Sequence, residues 1–285
     1  MTPAVVSTRD ELTAARDALP GRVAVVMTMG ALHEGHIRLI DVAGERGDSV
    51  LVTIFVNPLQ FGVGEDLDRY PRTLDADVAI CGAHGVDVVF APGVEDMYPR
   101  GERVDRKHAG ALGERLEGAV RPAHFDGVLT VVALLLELTR PDVAVFGEKD
   151  AQQLAVIRRM VSEQGYPVEI VGVTTVREPD GLAMSSRNRF LDPPERLAAL
   201  ALSQALVAGA QAAHDGPVAV LTRAQEVLAE VPQVDVDYIA LVDEETWQEP
   251  DEKTRNARIL VAGRIGSTRL IDNVPVVLGT QHPVG

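Results

Sequence analysis

Two histidines three residues apart, His33 and His36, follow a glycine turn in the segment MTMGALHEGH, residues 27–36. The apolar run Val23–Thr28 predicts a strand, and residues 35–45 have helical character, so both imidazoles would lie in the first turn of a helix. A helix amino terminus binds phosphate through its N–H groups and dipole, and imidazoles beside it can donate further hydrogen bonds. The spacing therefore indicates a phosphate site. A zinc pair and two solvated surface histidines are the alternatives, and no third ligand stands at a suggestive spacing.

A lysine follows another predicted strand, in the segment FGEKD at residues 146–150. Lys149 would lie in the loop after strand 142–146, where an ammonium group can neutralise a polyphosphate. The alternative is a surface Glu–Lys–Asp cluster, which is the commoner explanation of such a tripeptide taken alone.

A third polar segment, GLAMSSRN at residues 181–188, places two hydroxyls and a guanidinium in a loop that begins with glycine. Such a loop can wrap phosphate oxygens, although a polar interdomain linker has the same composition. We expect His33, His36, Lys149 and Arg187 to converge on one triphosphate, because the three segments all lie at strand ends or at a domain junction.

The elements that must position these segments alternate between strand and helix. Short apolar strands are predicted at residues 23–28, 49–56, 87–91, 142–146 and 167–173. Helices are predicted between Thr8 and Pro20 and at residues 35–45, 74–84, 128–139 and 152–164. Strands that are apolar on both faces indicate a parallel sheet covered by helices on both sides. Ligands bind such sheets where the strands end, which directs attention to the loops after residues 28, 56 and 146.

The pattern changes after about residue 175. Helices are predicted at residues 194–213 and 218–229, followed by alternating strands at 236–242, 258–262 and 268–274. The predicted fold is therefore α/β: a Rossmann-like parallel sheet flanked by helices in residues 1–175, and a smaller C-terminal α+β domain with an antiparallel sheet in residues 176–285.

Composition excludes several classes of partner. The 285 residues carry a formal net charge of −15, which disfavours nucleic-acid and anionic-membrane surfaces. The longest apolar stretch, residues 128–138, is too short to span a bilayer, which takes about 20 residues. Cys81 is the single cysteine, so no intrachain disulfide can form, and we expect a buried structural thiol. We expect a cytoplasmic protein with no secretory signal, no nucleic-acid partner and no membrane partner.

The His33-Glu34-Gly35-His36 step, with the later Ser-Ser-Arg loop, resembles the paired signatures of the nucleotidyltransferase superfamily that includes class I aminoacyl-tRNA synthetases. Six longer segments resemble the pantothenate synthetase (pantoate–β-alanine ligase) family, and together they extend over nearly the whole chain. The segments that carry the resemblance are TMGALHEGH (28–36), IFVNPLQF (54–61), YPRT (70–73), RPAHFDGV (121–128), FGEKD-x-QQL (146–154) and GLAMSSRN (181–188).

The resemblance implies condensation of (R)-pantoate with β-alanine, driven by ATP through a pantoyl-adenylate, with release of AMP and pyrophosphate. It implies catalytic roles for His33, His36, Lys149 and Arg187, with His36 at the position of a proton donor. The implied ATP-binding residues are Met29, Gly30, Ala31, Leu32, His33, Glu34, Gly35, His36, Gly147, Glu148, Lys149, Asp150, Val176, Met184, Ser185, Ser186 and Arg187.

The resemblance also implies pantoate binding by Gln60 and Gln153, a mobile flap carrying Tyr70, and an association of Asp77 with Mg²⁺. It further implies a homodimer formed through the larger domain. Departures from the family pattern stand at Met27, Ala151 and Thr174, and at Ala76, where an acidic residue is common; they bear on the acid pocket and on a protein-held Mg²⁺.

Three other functions compete with this one. A nucleotidyltransferase acting on a phosphorylated metabolite would share the histidine and Ser/Arg segments, but it needs no paired glutamines. A binding protein without catalysis would not require every phosphate-handling side chain. A truncated tRNA synthetase would need a basic surface that the charge of −15 does not provide.

Overall fold

A computed structural model of the chain describes residues 2–62, 64–65 and 67–279. The chain divides into two compact units, Met1–Thr175 and Val176–Gly285. Each unit has its own buried apolar core.

The larger unit contains six strands in one parallel sheet. Its strands are β1 (Ala4–Val6), β2 (Val23–Thr28), β3 (Ser49–Ile54), β4 (Val88–Phe90), β5 (Val143–Gly147) and β6 (Glu169–Val173). Their order across the sheet is β1-β4-β3-β2-β5-β6. From β2 the chain adds β3 and β4 on one side of the sheet, and then adds β5 and β6 on the other side of β2. The strand order therefore reverses between β2 and β5. Such a reversal is where α/β sheets bind ligands.

The helices of this unit are α1 (Arg9–Ala18), α2 (Glu34–Arg46), α3 (Leu74–Ala83), α4 (Val94–Met97), α5 (Glu117–Val120), α6 (His124–Thr139) and α7 (Ala151–Gln164). Single 3₁₀ turns lie at Pro58–Gln60, Leu67–Arg69, Gly110–Glu114 and Glu148–Asp150. The predicted parallel sheet with helical cover is confirmed.

Strand β2 is buried on both faces. Val23 and Val25 join a core with α1, α6 and α7, whereas Ala24 and Val26 join a second core with α2 and α3. Full burial of a Val side chain contributes about 1.5–3 kcal/mol, so this central strand is fixed tightly in the sheet. Its carboxyl end, and the loop that follows, are fixed with it.

Several elements differ from the sequence prediction, among them the short helices α4 and α5, which were not predicted. Helix α6 begins at His124, four residues before the predicted start, because His124, Asp126 and Gly127 interrupt the apolar pattern around Phe125. Strand β1 was not predicted, since three residues at a sheet edge carry too little periodicity to be recognised.

The smaller unit packs two helices on an antiparallel sheet. Its elements are α8 (Pro193–Gln211), α9 (Pro217–Ala229), β7 (Val234–Asp243), β8 (Asn256–Ile265) and β9 (Thr268–Val277), with 3₁₀ turns at Ser186–Phe190 and Ala213–Asp215. The sheet order is β7-β8-β9. The predicted α+β architecture is confirmed, with strands longer than the alternating segments suggested.

Two expectations from composition also have a structural outcome. Cys81 is fully buried, and burial, followed by the charge of Asp77, raises the pKa of its thiol to about 11. The expectation of a buried thiol is confirmed. Within the described ranges, none of the helices has the length and apolar character needed to cross a membrane.

Candidate active site

The turn after β2 is built by Thr28 and two left-handed residues. The Thr28 hydroxyl accepts a hydrogen bond from the Gly30 N–H at 3.1 Å and donates one to the Thr53 carbonyl of β3 at 2.9 Å. Gly30 has φ +82 and Ala31 has φ +52. The left-handed conformation suits glycine, whereas alanine adopts it at a cost of about 1–2 kcal/mol. Surrounding contacts must therefore hold this turn in place.

His33 and His36 cap the amino terminus of α2 reciprocally. The Gly35 N–H donates to Nδ1 of His33 at 3.1 Å, and the His33 N–H donates to Nδ1 of His36 at 3.3 Å. The ring centroids lie 4.2 Å apart. An Nδ1 that accepts a hydrogen bond leaves the proton of a neutral imidazole on Nε2. Both rings thus carry an Nε2–H donor, while the Gly35 amide is already used by His33.

His36 is neutral over the physiological pH range. Burial, followed by the neighbouring His33, lowers the pKa of its imidazole to about 3. Lys149 also lowers this pKa, and Asp150 raises it. A neutral imidazole donates a hydrogen bond through Nε2–H without giving up a proton, so the role open to His36 near pH 7 is that of a hydrogen-bond donor.

Lys149 lies beside this histidine pair. It stands in the 3₁₀ turn Glu148–Asp150, which directly follows β5 and leads into α7. Since β5 is the parallel neighbour of β2, the loops after the two strands meet at one edge of the sheet. Lys149 and Asp150 are close enough to His36 to change the pKa of its imidazole. The structure thus brings together the first two of the three predicted phosphate-handling segments.

Gln60 connects the loop after β3 to the loop after β2. Its Nε2 donates to Sδ of Met29 at 3.1 Å, and its Oε1 accepts from Nδ2 of Asn57 at 3.1 Å. Asn57 is buried and also accepts from the Tyr98 hydroxyl at 2.9 Å. These bonds fix the Gln60 amide beside Met29, at the carboxyl end of β2.

A buried polar cluster secures the backbone of Gln60. Nδ1 of His124 donates to the Gln60 carbonyl at 2.8 Å, and Arg121 donates to the same oxygen at 3.4 Å. Arg121 is bound in turn by Glu65 at 2.6 Å and by Glu117 at 3.5 Å. Arg121 also donates to Nε2 of His124, and burial followed by Arg121 lowers the pKa of this imidazole. With Nε2 of His124 accepting from Arg121, Nδ1 carries the proton that is donated to the Gln60 carbonyl.

No role was predicted from the sequence for Asn57, Arg121 or His124. The signal that could have found them was available, since VNPLQ and RPAHFDGV were among the segments that carried the family resemblance. Their close packing could not be derived from spacing, because it depends on a contact between segments about sixty residues apart. Gly127 makes that contact possible: a Cβ there would lie 2.1 Å from the Leu59 carbonyl oxygen.

The two neighbouring glutamines of α7 have different surroundings. Gln152 is buried, accepts from the Glu117 N–H at 3.1 Å, and donates to two backbone carbonyls at 2.8 Å. The hydrogen bonds of Gln152 therefore fix the backbone of residues 112–117. Gln153, the predicted pantoate ligand, is half-buried in the first turn of α7.

Asp77 lies under the turn after β2. Its side chain is 1% exposed, and its carboxylate accepts from the Ala31 N–H at 3.0 Å, from the Leu32 N–H at 2.8 Å and from the Thr73 hydroxyl at 3.1 Å. Within residues 2–62, 64–65 and 67–279, there is no group of three or more His, Cys, Asp or Glu side chains that could hold a metal ion.

The third predicted segment belongs to the smaller unit. The Met184 N–H donates to the Val176 carbonyl at 3.0 Å, closing a hairpin that turns at Gly181. Ser185 caps the 3₁₀ turn Ser186–Phe190, its hydroxyl accepting from the Arg187 N–H at 3.2 Å. Residues 184–187 are half-buried. This local order makes the segment a preformed loop that carries two hydroxyls and a guanidinium.

Tyr70 is 7% exposed and packs edge-on against Phe61, with ring centroids 6.0 Å apart. Met27 is half-buried and Ala151 is buried. Ala76 and Thr174, the other two departures from the family pattern, are exposed.

Comparison with known proteins gives one family. The sequence model described as Pantoate-beta-alanine ligase matches residues 4–275. Proteins named pantothenate synthetase from Salinispora arenicola and Acidothermus cellulolyticus are 58% and 56% identical to this chain. Each alignment covers 96% of the chain, with 98% and 92% of the respective relative.

Solved structures agree with the sequence relatives. The crystal structure of pantothenate synthetase from Thermus thermophilus superposes with a TM-score of 0.89 at 51% identity, over 95% of this chain and 98% of that one. The pantoate-beta-alanine ligase from Francisella tularensis, described as complexed with beta-gamma ATP and beta-alanine, has a TM-score of 0.78 at 34% identity, over 95% and 97% of the two chains.

Proposed function

Since this chain belongs to the pantoate–β-alanine ligase family, we propose that it joins (R)-pantoate to β-alanine with ATP and releases AMP and pyrophosphate. The observation that carries the proposal is the reciprocal capping of His33 and His36, which leaves an Nε2–H donor on each ring at the carboxyl end of β2, near Lys149. Neutral donors and an ammonium at one sheet edge suit a polyphosphate, because they stabilise charge without being consumed.

In the first step, a pantoate carboxylate oxygen attacks the α-phosphorus of ATP. The new bond joins that oxygen to phosphorus, and the bond between the α-phosphorus and the bridging oxygen breaks, so that pyrophosphate leaves with the electron pair. Negative charge builds on the phosphoryl oxygens, where the Nε2–H groups of His33 and His36 and the ammonium of Lys149 would donate. No proton is transferred in this step, which agrees with a neutral His36.

In the second step, the β-alanine amine attacks the carbonyl carbon of the pantoyl-adenylate. The C–N bond forms, the amine loses a proton to water, and AMP leaves with the electron pair of the broken C–O bond. The enzyme forms no covalent bond in either step, so Ser185 and Ser186 need not act as nucleophiles. Holding the amine against the activated carbonyl can itself supply about 7–11 kcal/mol at best.

Gln60 and Gln153 are proposed to hold pantoate, whose hydroxyl and carboxylate groups need both donors and acceptors. The support for Gln60 is its anchoring: Asn57 fixes the side-chain oxygen, and His124 fixes the main-chain oxygen. A side chain held at both points keeps its amide in one orientation, which is the requirement for selecting a hydroxy acid.

ATP is proposed to bind Met29–His36, Gly147–Asp150, Val176 and Met184–Arg187. Mg²⁺ would supply charge neutralisation to the triphosphate and would enter bound to it, since the described residues offer no metal-binding group of three. Magnesium commonly keeps several waters and binds substrate phosphates in this way. From the family resemblance we also propose a cytoplasmic homodimer formed through the larger unit, which sedimentation at micromolar concentration tests.

The decisive assay measures AMP release with pantoate, with β-alanine, with both and with neither. AMP formation that requires both acids supports the ligase. Formation of a dinucleotide-like adduct would indicate a nucleotidyltransferase, and ATP binding without pantoate-dependent ATP–pyrophosphate exchange would indicate a protein that only binds nucleotide.

A further inference from the structure

Asp77 is the buried carboxylate on which the turn after β2 rests. It lies in the first turn of α3, 1% exposed, and receives the consecutive N–H groups of Ala31 and Leu32, one on each oxygen. The Thr73 hydroxyl, one helical turn earlier, donates to the same oxygen as Ala31 and fixes the carboxylate orientation. These three donors stabilise the negative charge without any cation.

The space around this carboxylate is closed. A Cβ built on Gly30 would lie 3.0 Å from Oδ2 of Asp77 and 3.1 Å from Cγ2 of Ile54. Magnesium requires near-octahedral coordination at about 2.0–2.1 Å and usually retains several waters. A carboxylate wedged between a backbone turn and a helix, with donors on both oxygens, does not fit that requirement.

The backbone that Asp77 holds is unusual. Ala31 has φ +52, a left-handed conformation that alanine adopts only when its surroundings compensate. The carboxylate supplies that compensation by accepting the Ala31 and Leu32 N–H groups. Leu32 is followed directly by His33, so any movement of these two peptides would displace the reciprocally capped imidazoles.

We infer that Asp77 is a positioning residue, acting through the Ala31–Leu32 backbone to aim the His33–His36 pair at nucleotide phosphates, and not a ligand of Mg²⁺. This inference rests on the proposed function of the histidine turn. It replaces the metal association that the family resemblance implied for Asp77 with a contact visible in the fold.

The test compares Asp77→Asn with Asp87→Asn. An asparagine is nearly isosteric but offers one acceptor and places an amide donor against a backbone N–H. Asp87 is a matched control, because its Oδ2 also accepts a backbone N–H, that of Val50 at 2.8 Å. This contact lies at the amino-terminal ends of β3 and β4, whereas Asp77 contacts the loop at the carboxyl end of β2. ATP affinity is measured by calorimetry in EDTA and again in Mg²⁺, and AMP release is measured over a Mg²⁺ titration.

For a positioning residue, Asp77→Asn weakens ATP binding in EDTA by about 3–10-fold, the fold-change that corresponds to one lost hydrogen bond. Its rate of AMP release falls by about 10–100-fold, the loss typical for removing a residue that hydrogen-bonds to the groups in direct contact with a bound species. The Mg²⁺ concentration for half-maximal rate is unchanged, and Asp87→Asn matches the wild type throughout. Thr73→Val, which removes only the hydroxyl donor, weakens ATP binding in EDTA by about 2–3-fold and provides the test if Asp77→Asn does not fold.

Three results would overturn the inference. The first is wild-type ATP affinity of Asp77→Asn in EDTA together with a raised Mg²⁺ requirement, which is the behaviour of a metal ligand. The second is an equal loss in Asp77→Asn and Asp87→Asn, and the third is wild-type behaviour of Asp77→Asn or, where that protein does not fold, of Thr73→Val. A wild-type protein that binds ATP but releases no AMP would contradict the proposed function instead, and the affinity comparison would still decide the role of Asp77.

Discussion

His36 offers two separable interactions, and two substitutions divide them. His36→Asn keeps an acceptor near the position of Nδ1, so the His33 N–H can still be capped, but it removes the Nε2–H donor. His36→Gln places an amide donor near the position of Nε2 and removes the capping acceptor. The His33 N–H to His36 Nδ1 bond of 3.3 Å is long for a hydrogen bond, so its loss should cost little.

The expected magnitudes follow from this division. Loss of one preorganised donor to transition-state charge costs about 10²–10³ in kcat, equivalent to about 2.7–4 kcal/mol. We expect that loss for His36→Asn, with the KM for ATP changed much less, and a loss below about tenfold for His36→Gln. The assay is AMP release under saturating pantoate and β-alanine. His84→Asn is the matched control, since His84 lies at the surface end of α3 and pairs with Asp41 at 3.0 Å.

The pH profile tests the charge state of His36 independently. Because its pKa is lowered to about 3, kcat should show no His36 ionisation between pH 5 and 9, and wild type and His36→Gln should have parallel profiles. A kcat limb with an apparent pKa of 6–7 that disappears in His36→Asn would refute the reasoning and assign proton donation to His36. Equal losses in the Asn and Gln variants would also refute it, since the two changes remove different interactions.

Two further predictions concern other residues of the site, and a third concerns the effect of His36 on stability. Lys149→Ala should lower kcat by at least about tenfold, because it removes a charge that acts on the transition state. The control, Lys253→Ala in the smaller unit, should leave turnover unchanged. Equal turnover in both variants would exclude Lys149 from catalysis. Gln60→Ala should raise the KM for pantoate by roughly tenfold, through the loss of one or two hydrogen bonds, with little change in the KM for ATP. Substitution of the exposed Gln164 by alanine is the control. A raised KM for ATP in Gln60→Ala would contradict the assignment. The free energy of unfolding should fall by up to about 2 kcal/mol between pH 7 and 5, because unfolded His36 takes up a proton near its ordinary pKa of 6.5 while the folded imidazole, with a pKa of about 3, does not. His36→Asn should show a smaller fall in urea unfolding, and identical pH dependence of the two proteins would contradict the lowered pKa.

Much of the fold could be predicted because its strands are buried on both faces. Val23–Thr28 has the bounds that its apolar run indicated, since Arg22 precedes the run and the glycine turn follows it. Helix α1 begins directly after Thr8, where the sequence predicted its start, and the Glu11 carboxylate accepts a hydrogen bond from the Thr8 N–H at 3.1 Å. Where polar side chains serve tertiary contacts inside an element, as at the start of α6, the periodic signal fails and the boundary was misplaced.

The candidate site was predictable in its residue types and less so in its geometry. The histidine spacing indicated a phosphate site, but the helix amides that were expected to bind phosphate include the Gly35 N–H, which His33 uses. Whether the Gly35 N–H binds His33 or a phosphate depends on the orientation of the His33 ring, which the residue spacing does not determine. The support of Gln60 by His124 was equally hidden, because it requires α6 to pack on a loop from another part of the chain.

The central claim is that a carboxylate of pantoate attacks the α-phosphorus of ATP, and an isotope label tests it most directly. Pantoate labelled with ¹⁸O in its carboxylate is incubated with ATP, β-alanine and the protein, and the products are analysed by mass spectrometry. The proposed pantoyl-adenylate predicts one ¹⁸O atom in the phosphate of AMP and none in pyrophosphate. Label in inorganic phosphate, or its absence from AMP during pantothenate formation, would contradict the mechanism.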